Sequence, residues 1–354
     1  MLKWTRTAIL LLLTAMLIMT GCGGNNGDNN VNETGNNEAN QGADAGGKTD
    51  GKDFRIGMVT DTGGVNDNSF NQSAWEGFQK LNEDTGAKVK YLQSEGDADY
   101  IPNLSTFVND GYDLTWGIGY LMWDSIKQVA QQNPDAKLAI IDNVVDAPNV
   151  SSVTFAENEG SFLVGVAAAK MTKSNKIGFV GGSEIPVIQR FEAGFRAGIQ
   201  AVNPDIRLIV NYTGAFDKPD LGKAAASTIY NEGADIIFHA SGATGNGVFN
   251  EARDRVKGGD QVWVIGVDKD QSLDFGDDIT LTSMMKRVDE AVHRVSSDLI
   301  NGEFNGGEMT VLGLKENGVG LSETSKKNIP DDVWNLVEEY KQKIISGEVS
   351  VPQE

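Results

Sequence analysis

What the chain is short of sets the first limits. In 354 residues there is a single cysteine, Cys22, so no disulfide can close within the chain and no cysteine-rich metal site can form. The only two histidines, His239 and His293, are far apart, which leaves neither a paired-histidine metal spacing nor a Cys/His nucleophile. There is no G-x-S-x-G elbow and no Walker loop. Basic residues are scarce too, 30 against 50 acidic ones, for a formal net charge of −20. So acidic a chain is a poor partner for nucleic acid or anionic headgroups, and solubility outside a membrane accounts for its charge. These absences argue against an enzyme and call for no cofactor or metal.

Long apolar runs are also missing, with one exception near the start. Residues 8–19 are apolar, follow Lys3 and Arg6, and precede Thr20, Gly21 and Cys22. The run is too short to span a bilayer and has the layout of a secretory signal over residues 1–21. Cys22, directly after small residues, resembles the lipidated cysteine of a bacterial lipobox, although Met19 stands where that pattern usually has leucine. Residues 22–52 are mostly Gly, Asn, Asp, Glu, Ala and Thr. They cannot bury enough surface to offset ordering entropy, and read as a flexible tether behind a lipid anchor. The expected location is the outer face of the cell membrane, held there by lipid on Cys22.

The folded part opens with FRIGMVTDTGGVNDNSFNQSAWEGF, residues 54–78. Residues 54–60 form an apolar run with the character of a buried strand, and 61–68 have loop chemistry rich in Gly, Asn and Asp. Ser69 and Gln72 have the spacing of a capping box, and Phe70, Ala74, Trp75, Phe78 and Leu81 fall near one helical face. The unit is strand, polar loop, helix, and in open α/β sheets ligands bind where such loops leave the strands. Phe70, in the first helical turn, either closes the helix onto its sheet or offers a flat face to a ligand.

Strands and helices then alternate. Strands are expected at 88–93, 113–119 and 137–142 with helices at 99–109 and 121–132, which implies a parallel sheet covered on both faces. A helix of small residues at 157–173 marks a crossover, and Gly160, Gly165 and Ala167 to Ala169 permit close backbone approach. The pattern restarts with strands at 176–180, 207–212, 235–239 and 261–267 and helices at 186–202, 221–232 and 247–256. Two α/β halves joined in mid-chain describe a two-lobed binding protein with a cleft between the lobes. The lobes are expected at 53–156 with about 283–304, and at 157–282 with about 305–354. The strand over 279–285 and helix over 288–301 return to the first lobe in this reading; the two short strands in 309–321 and the helix over 331–345 are harder to allocate. Ser241 to Gly247 follows a strand and opens a helix, the position of a phosphate cradle. It lacks the G-x-G-x-x-G order and a P-loop lysine, so a tight turn offering backbone N–H groups is the simpler reading.

Several of these stretches carry a family resemblance. TDTGGVNDNSFNQSAWEG (60–77), ENEGSFLVGVAAAKMTKSNKIGFVGG (157–182), YTGAFDKPDLGKAAA (212–226), HASGATGNGV (239–248), VIGVDKDQ (264–271) and LTSMMKRVD (281–289) resemble, in order, the signatures of the basic membrane protein family. Its members are solute-binding lipoproteins of ABC importers, among them purine-nucleoside receptors. The resemblance implies a type I periplasmic-binding-protein fold that closes on its solute by hinge motion, with an ABC permease and ATPase as partners. Its nucleoside-binding members sandwich the base between two aromatics, which Phe70 and Phe216 match. Asp61 and Asn71 flank the first aromatic, Asp142 matches the acceptor for the base edge, and Asp268 the carboxylate that holds the ribose. Gly242 would give a backbone contact and Lys286 a donor to the sugar. Taken without the family, Asp61 and Asp268 read as loop caps, Phe216 as a lobe-surface residue and Lys286 as a solvated charge. A sensory receptor of the same fold, or a binder of another ring-bearing solute such as a flavin, stands as the alternative function.

Overall fold

The computed structural model describes residues 50–354. Cys22, the signal at 1–21 and most of the tether lie outside them. Two six-stranded sheets organise the described chain. The first half runs β1 (Arg55–Thr60), α1 (Phe70–Thr85), β2 (Lys88–Leu92), α2 (Tyr100–Asn109), β3 (Leu114–Ile118), α3 (Trp123–Gln132), β4 (Leu138–Ile141) and β5 (Val150–Phe155). The second runs α4 (Glu157–Met171), β6 (Lys176–Gly181), α5 (Pro186–Val202), β7 (Arg207–Tyr212), α6 (Pro219–Asn231), β8 (Ile236–Ala240), α7 (Gly245–Lys257), β9 (Trp263–Asp268), α8 (Ser272–Phe275) and β10 (Thr280–Lys286). After these come α9 (Val288–Ile300), β11 (Met309–Leu312), β12 (Val319–Leu321) and α10 (Asp331–Ile345).

The sheet orders are β2-β1-β3-β4-β5-β11 and β7-β6-β8-β9-β10-β12. Every neighbouring pair is parallel except β10 with β12. Central strands such as LAII of β4 and IIFHA of β8 are buried throughout, as strands covered on both faces must be. Leu104, Phe107, Ile126 and Val129 of α2 and α3 cover one face of the first sheet. Ala74, Phe78 and Leu81 of α1, with Val292 of α9, cover the other. Around the second sheet, α6 and α7 take one face and the α4–α5 pair the other. A side chain on Gly165 or Gly194 would strike the backbone of the facing helix at Phe195 or Asn158, so small residues set the α4–α5 distance.

Two allocations differ from the sequence expectation. β10 pairs with β9 in the second sheet rather than returning to the first, and β11 pairs with β5 in the first sheet rather than the second. The chain therefore crosses between sheets after β5, after β10, and between β11 and β12. A further strand, β5, was not expected, because its VSSVTF sequence carries two serines; they are buried, and Ser152 Oγ accepts a bond from the Val145 N–H.

In each sheet the chain leaves the first strand for one neighbour and returns on the other side, which opens a crevice at the strands' carboxyl ends. The β1/β3 and β6/β8 crevices contribute their loops to one cavity.

Candidate ligand cleft

The loop after β1 is held by two buried carboxylates. Asp67 accepts the backbone N–H groups of Ser69 (2.9 Å), Asn71 (2.9 Å) and Gln72 (3.0 Å). It thereby caps α1, a role the sequence assigned to a Ser69–Gln72 box. Ser69 makes no side-chain cap bond; its hydroxyl donates instead to the Asp268 carboxylate, 199 residues away. Asp61 Oδ1 accepts from Asn71 Nδ2 at 2.7 Å and from the Gly63 N–H at 3.0 Å. Burial pushes the Asp61 carboxyl up to about 6 against those two bonds, and raises Asp67 as well. Gly119, with φ 125°, closes the loop after β3, and a Cβ there would sit 3.1 Å from Asp61 Oδ2.

Asp142, just after β4, and Asp268, the last residue of β9, both have left-handed backbone, with φ of 73° and 68°. Such strain in non-glycine residues collects at functional sites, where the surrounding structure holds it in place. Lys286, at the end of β10, puts its ammonium 2.7 Å from Asp142 and 3.1 Å from Glu157 Oε1, and Arg190 Nε reaches Glu157 Oε2 at 2.7 Å. Only 2 % of Lys286 is exposed, which removes the reading as a solvated charge. The rings of Phe70 and Phe155 lie 5.1 Å from its nitrogen and that of Phe191 5.6 Å. Burial pulls the ammonium down, but Asp142, Glu157 and Asp268 outweigh it and raise its pKa. Burial also raises Asp142 against the Lys286 charge. Asp268 goes up to about 7 through burial, opposed by Lys286 and the Ser69 hydroxyl.

The second half gives the cavity an apolar wall. Ile185, Val187, Ile188 and Phe191 line it from the start of α5, and Phe216 lines it from the loop after β7. Phe216 also accepts the Thr244 N–H through its carbonyl at 3.0 Å, which ties its loop to the turn at Gly242. Gly242 has φ 55°.

All eight positions singled out from the sequence, Asp61, Phe70, Asn71, Asp142, Phe216, Gly242, Asp268 and Lys286, line this one cavity. The two aromatics come from opposite halves, and the acids stand at strand ends. Sequence reasoning missed Asp67, Glu157 and Arg190 as partners of the site, and the aliphatic wall of α5. Asp67 had a local signal, an acid two residues ahead of the proposed cap. Glu157 and Arg190 had none, because their roles depend on contacts across the fold.

A family model described as ABC transporter substrate-binding protein PnrA-like matches residues 54–354. The CD4+ T-cell-stimulating antigen of Listeria monocytogenes is 49 % identical over 318 residues, covering 85 % of this chain and 89 % of its own length. The ABC transporter nucleoside-binding protein BmpA of Lactococcus lactis is 40 % identical over 316 residues, with the same two coverages, 85 % and 89 %. Among solved structures, an ABC transporter system solute-binding protein from Aeropyrum pernix superposes with a TM-score of 0.77 at 31 % identity, over 85 % of this chain and 94 % of that one.

Proposed function

We propose that this chain, which belongs to the Bmp family of PnrA-like ABC transporter substrate-binding proteins, captures a nucleoside, purines above all, in the cleft between its sheets. As a substrate-binding protein of that type it works outside the cytoplasm. In this reading it hands its ligand to a permease–ATPase importer without turning it over, and is held at the membrane by lipid on Cys22. Among the described residues no helix is long and apolar enough to cross a membrane.

The observation that carries the ligand class is the pairing of two aromatics from opposite halves with buried acceptors in one cavity. A purine has two π-faces, and each stacked ring is worth about 1–3 kcal/mol by analogy with single-strand binders. Among the described residues the Ser69 hydroxyl is the one hydrogen-bond donor to Asp268, and Asn71 Oδ1 is buried with no partner. Acceptors so placed fit a neutral, donor-rich ligand, and a ribose cis diol supplies two hydroxyls. The same carboxylates repel a phosphate. The Bmp relative named for nucleoside binding supports the reading.

Calorimetric titration with adenosine, inosine, guanosine, cytidine and the free bases tests it. Tight binding of purine nucleosides above cytidine and free bases is expected; no heat with any nucleoside would sink the assignment. Cys22→Ser should release the protein from membranes or block its processing, and unchanged retention and maturation would remove the anchor.

A further inference from the structure

The loop that carries Asp268 is bound to the opposite half by a residue that lines no part of the cavity. Gln271 is fully buried, and its side-chain amide is used at both ends. Its Oε1 accepts the Val267 N–H at 2.9 Å and faces His239 Nε2 at 2.8 Å; its Nε2 donates to the Asn68 carbonyl, in the loop after β1, at 2.8 Å. The Val267 N–H can only donate, so the oxygen of the amide must point that way and the nitrogen toward Asn68. His239 Nε2 must then carry a proton. Burial lowers the His239 pKa to about 4, so the ring is neutral and its Nδ1 accepts from Ser241 Oγ at 3.3 Å. The backbone N–H of Gln271 donates to Ser283 Oγ at 3.1 Å. Asn68 stands next to Ser69, whose hydroxyl holds Asp268, and is itself left-handed with φ 55°. Two consecutive residues of the first half thus grip two residues of one loop in the second. At the rim Lys269 Nζ adds an ion pair to Glu76 of α1 at 2.8 Å.

We infer that Gln271, oriented by His239, is a positioning residue that locks the two halves over a bound ligand and sets how long the ligand stays. The inference rests on the cleft being the ligand site but not on which ligand fills it. Gln271 touches no ligand, so its loss speeds release of nucleoside and free base alike. Asp268, which faces the sugar, discriminates between them. Lys269 contributes less, because Glu76 is exposed and solvent screens the pair.

The test uses stopped-flow release and calorimetry with adenosine and adenine on wild type, Gln271→Leu, Gln271→Glu and Lys269→Ala. Gln271→Leu should weaken both ligands about tenfold, mostly through faster release. In Gln271→Glu the ionised carboxylate meets the Asn68 carbonyl with no proton to donate, so affinity drops at pH 8. As pH falls the buried acid protonates and can donate again, so the ratio of variant to wild-type affinity should climb back toward one. The ratio is the readout because Asp268, Asp67 and His239 around this position, and Asp61 beyond, titrate in both proteins, while Lys269, Glu76 and Asp270 lie at the rim. A variant that merely unpacked the core would show no such recovery. Equal release rates in wild type and Gln271→Leu, or a flat ratio for Gln271→Glu, would overturn the inference. If wild type binds another purine nucleoside in place of adenosine, that nucleoside and its base replace the pair; if it binds no nucleoside, the proposed function fails, and small-angle scattering of the ligand-free proteins decides this point instead. Expansion in Gln271→Leu alone supports the lock, and identical curves overturn it.

Discussion

Asp142 and Asp268 occupy equivalent places in the two halves, each at the carboxyl end of the fourth strand in its sheet, and both are left-handed and buried. They differ in their partners. Asp142 meets an ammonium within 2.7 Å, whereas Asp268 meets the hydroxyl of Ser69. One topology therefore supplies one carboxylate paired directly with an ammonium and another whose hydrogen-bond donor, among the described residues, is a neutral hydroxyl. The lesson is that topology places an acid at the mouth of the cleft, but its neighbours decide how far its charge is matched within the fold.

The sharpest way to break the contrast is to remove the ammonium. Lys286→Met leaves Asp142 and Glu157 buried without their shared cation, and should cost about 3–5 kcal/mol of stability. Urea denaturation would report it, and an unshifted midpoint would mean that the two aspartates are not distinguished by charge. Next come the rings between which the ligand would lie. Phe70→Ala or Phe216→Ala should each weaken purine nucleosides by about 1–3 kcal/mol with folding intact. Equal titrations for both variants and wild type would remove the stacking account.

A pH series sharpens the comparison further. Asp268 has its pKa raised to about 7 in the fold, above that of an unfolded carboxyl. The folded state holds that proton more tightly, so this group favours folding at acid pH and loses that contribution as pH rises through about 7. Ligand binding has the opposite sign, since sugar hydroxyls need the ionised acceptor. Nucleoside affinity should fall as pH drops below about 7, by up to about tenfold per unit. Asp268→Asn should flatten that limb and leave only the fall near 6 that Asp61 contributes. A pH-independent wild type would show that neither acid titrates on binding.

Much of this arrangement was legible in the sequence. Parallel strands covered on both sides are continuous apolar runs, so LAII and IIFHA declare themselves. The cleft acids Asp61, Asp142 and Asp268 lie at the ends of β1, β4 and β9, and the resemblance to the family singled them out. Four features were hidden, because each depends on contacts made only once the chain has folded. Ser69 looks like a cap until Asp268 is folded against it. The serines of β5 look like loop residues until burial gives Ser152 its partner. β10 ends in Lys286, and nothing local says that its edge pairs with β9 and β12 while the helix after it packs on α1. Gln271 was read only as the last letter of a motif, because its partners, His239 and Asn68, are more than 30 residues away.

The most direct test of the central claim, that Asp268 is the acceptor held open for a sugar, compares adenosine with adenine on wild type and Asp268→Ala by calorimetry. Each charge-assisted bond is worth about 1.5–3 kcal/mol. The account predicts that adenosine loses at least about tenfold in affinity, while adenine, which feels only the lost Ser69 bond between the halves, loses less, so the preference for nucleoside over base shrinks. An equal loss for both ligands, or none for either, would contradict it.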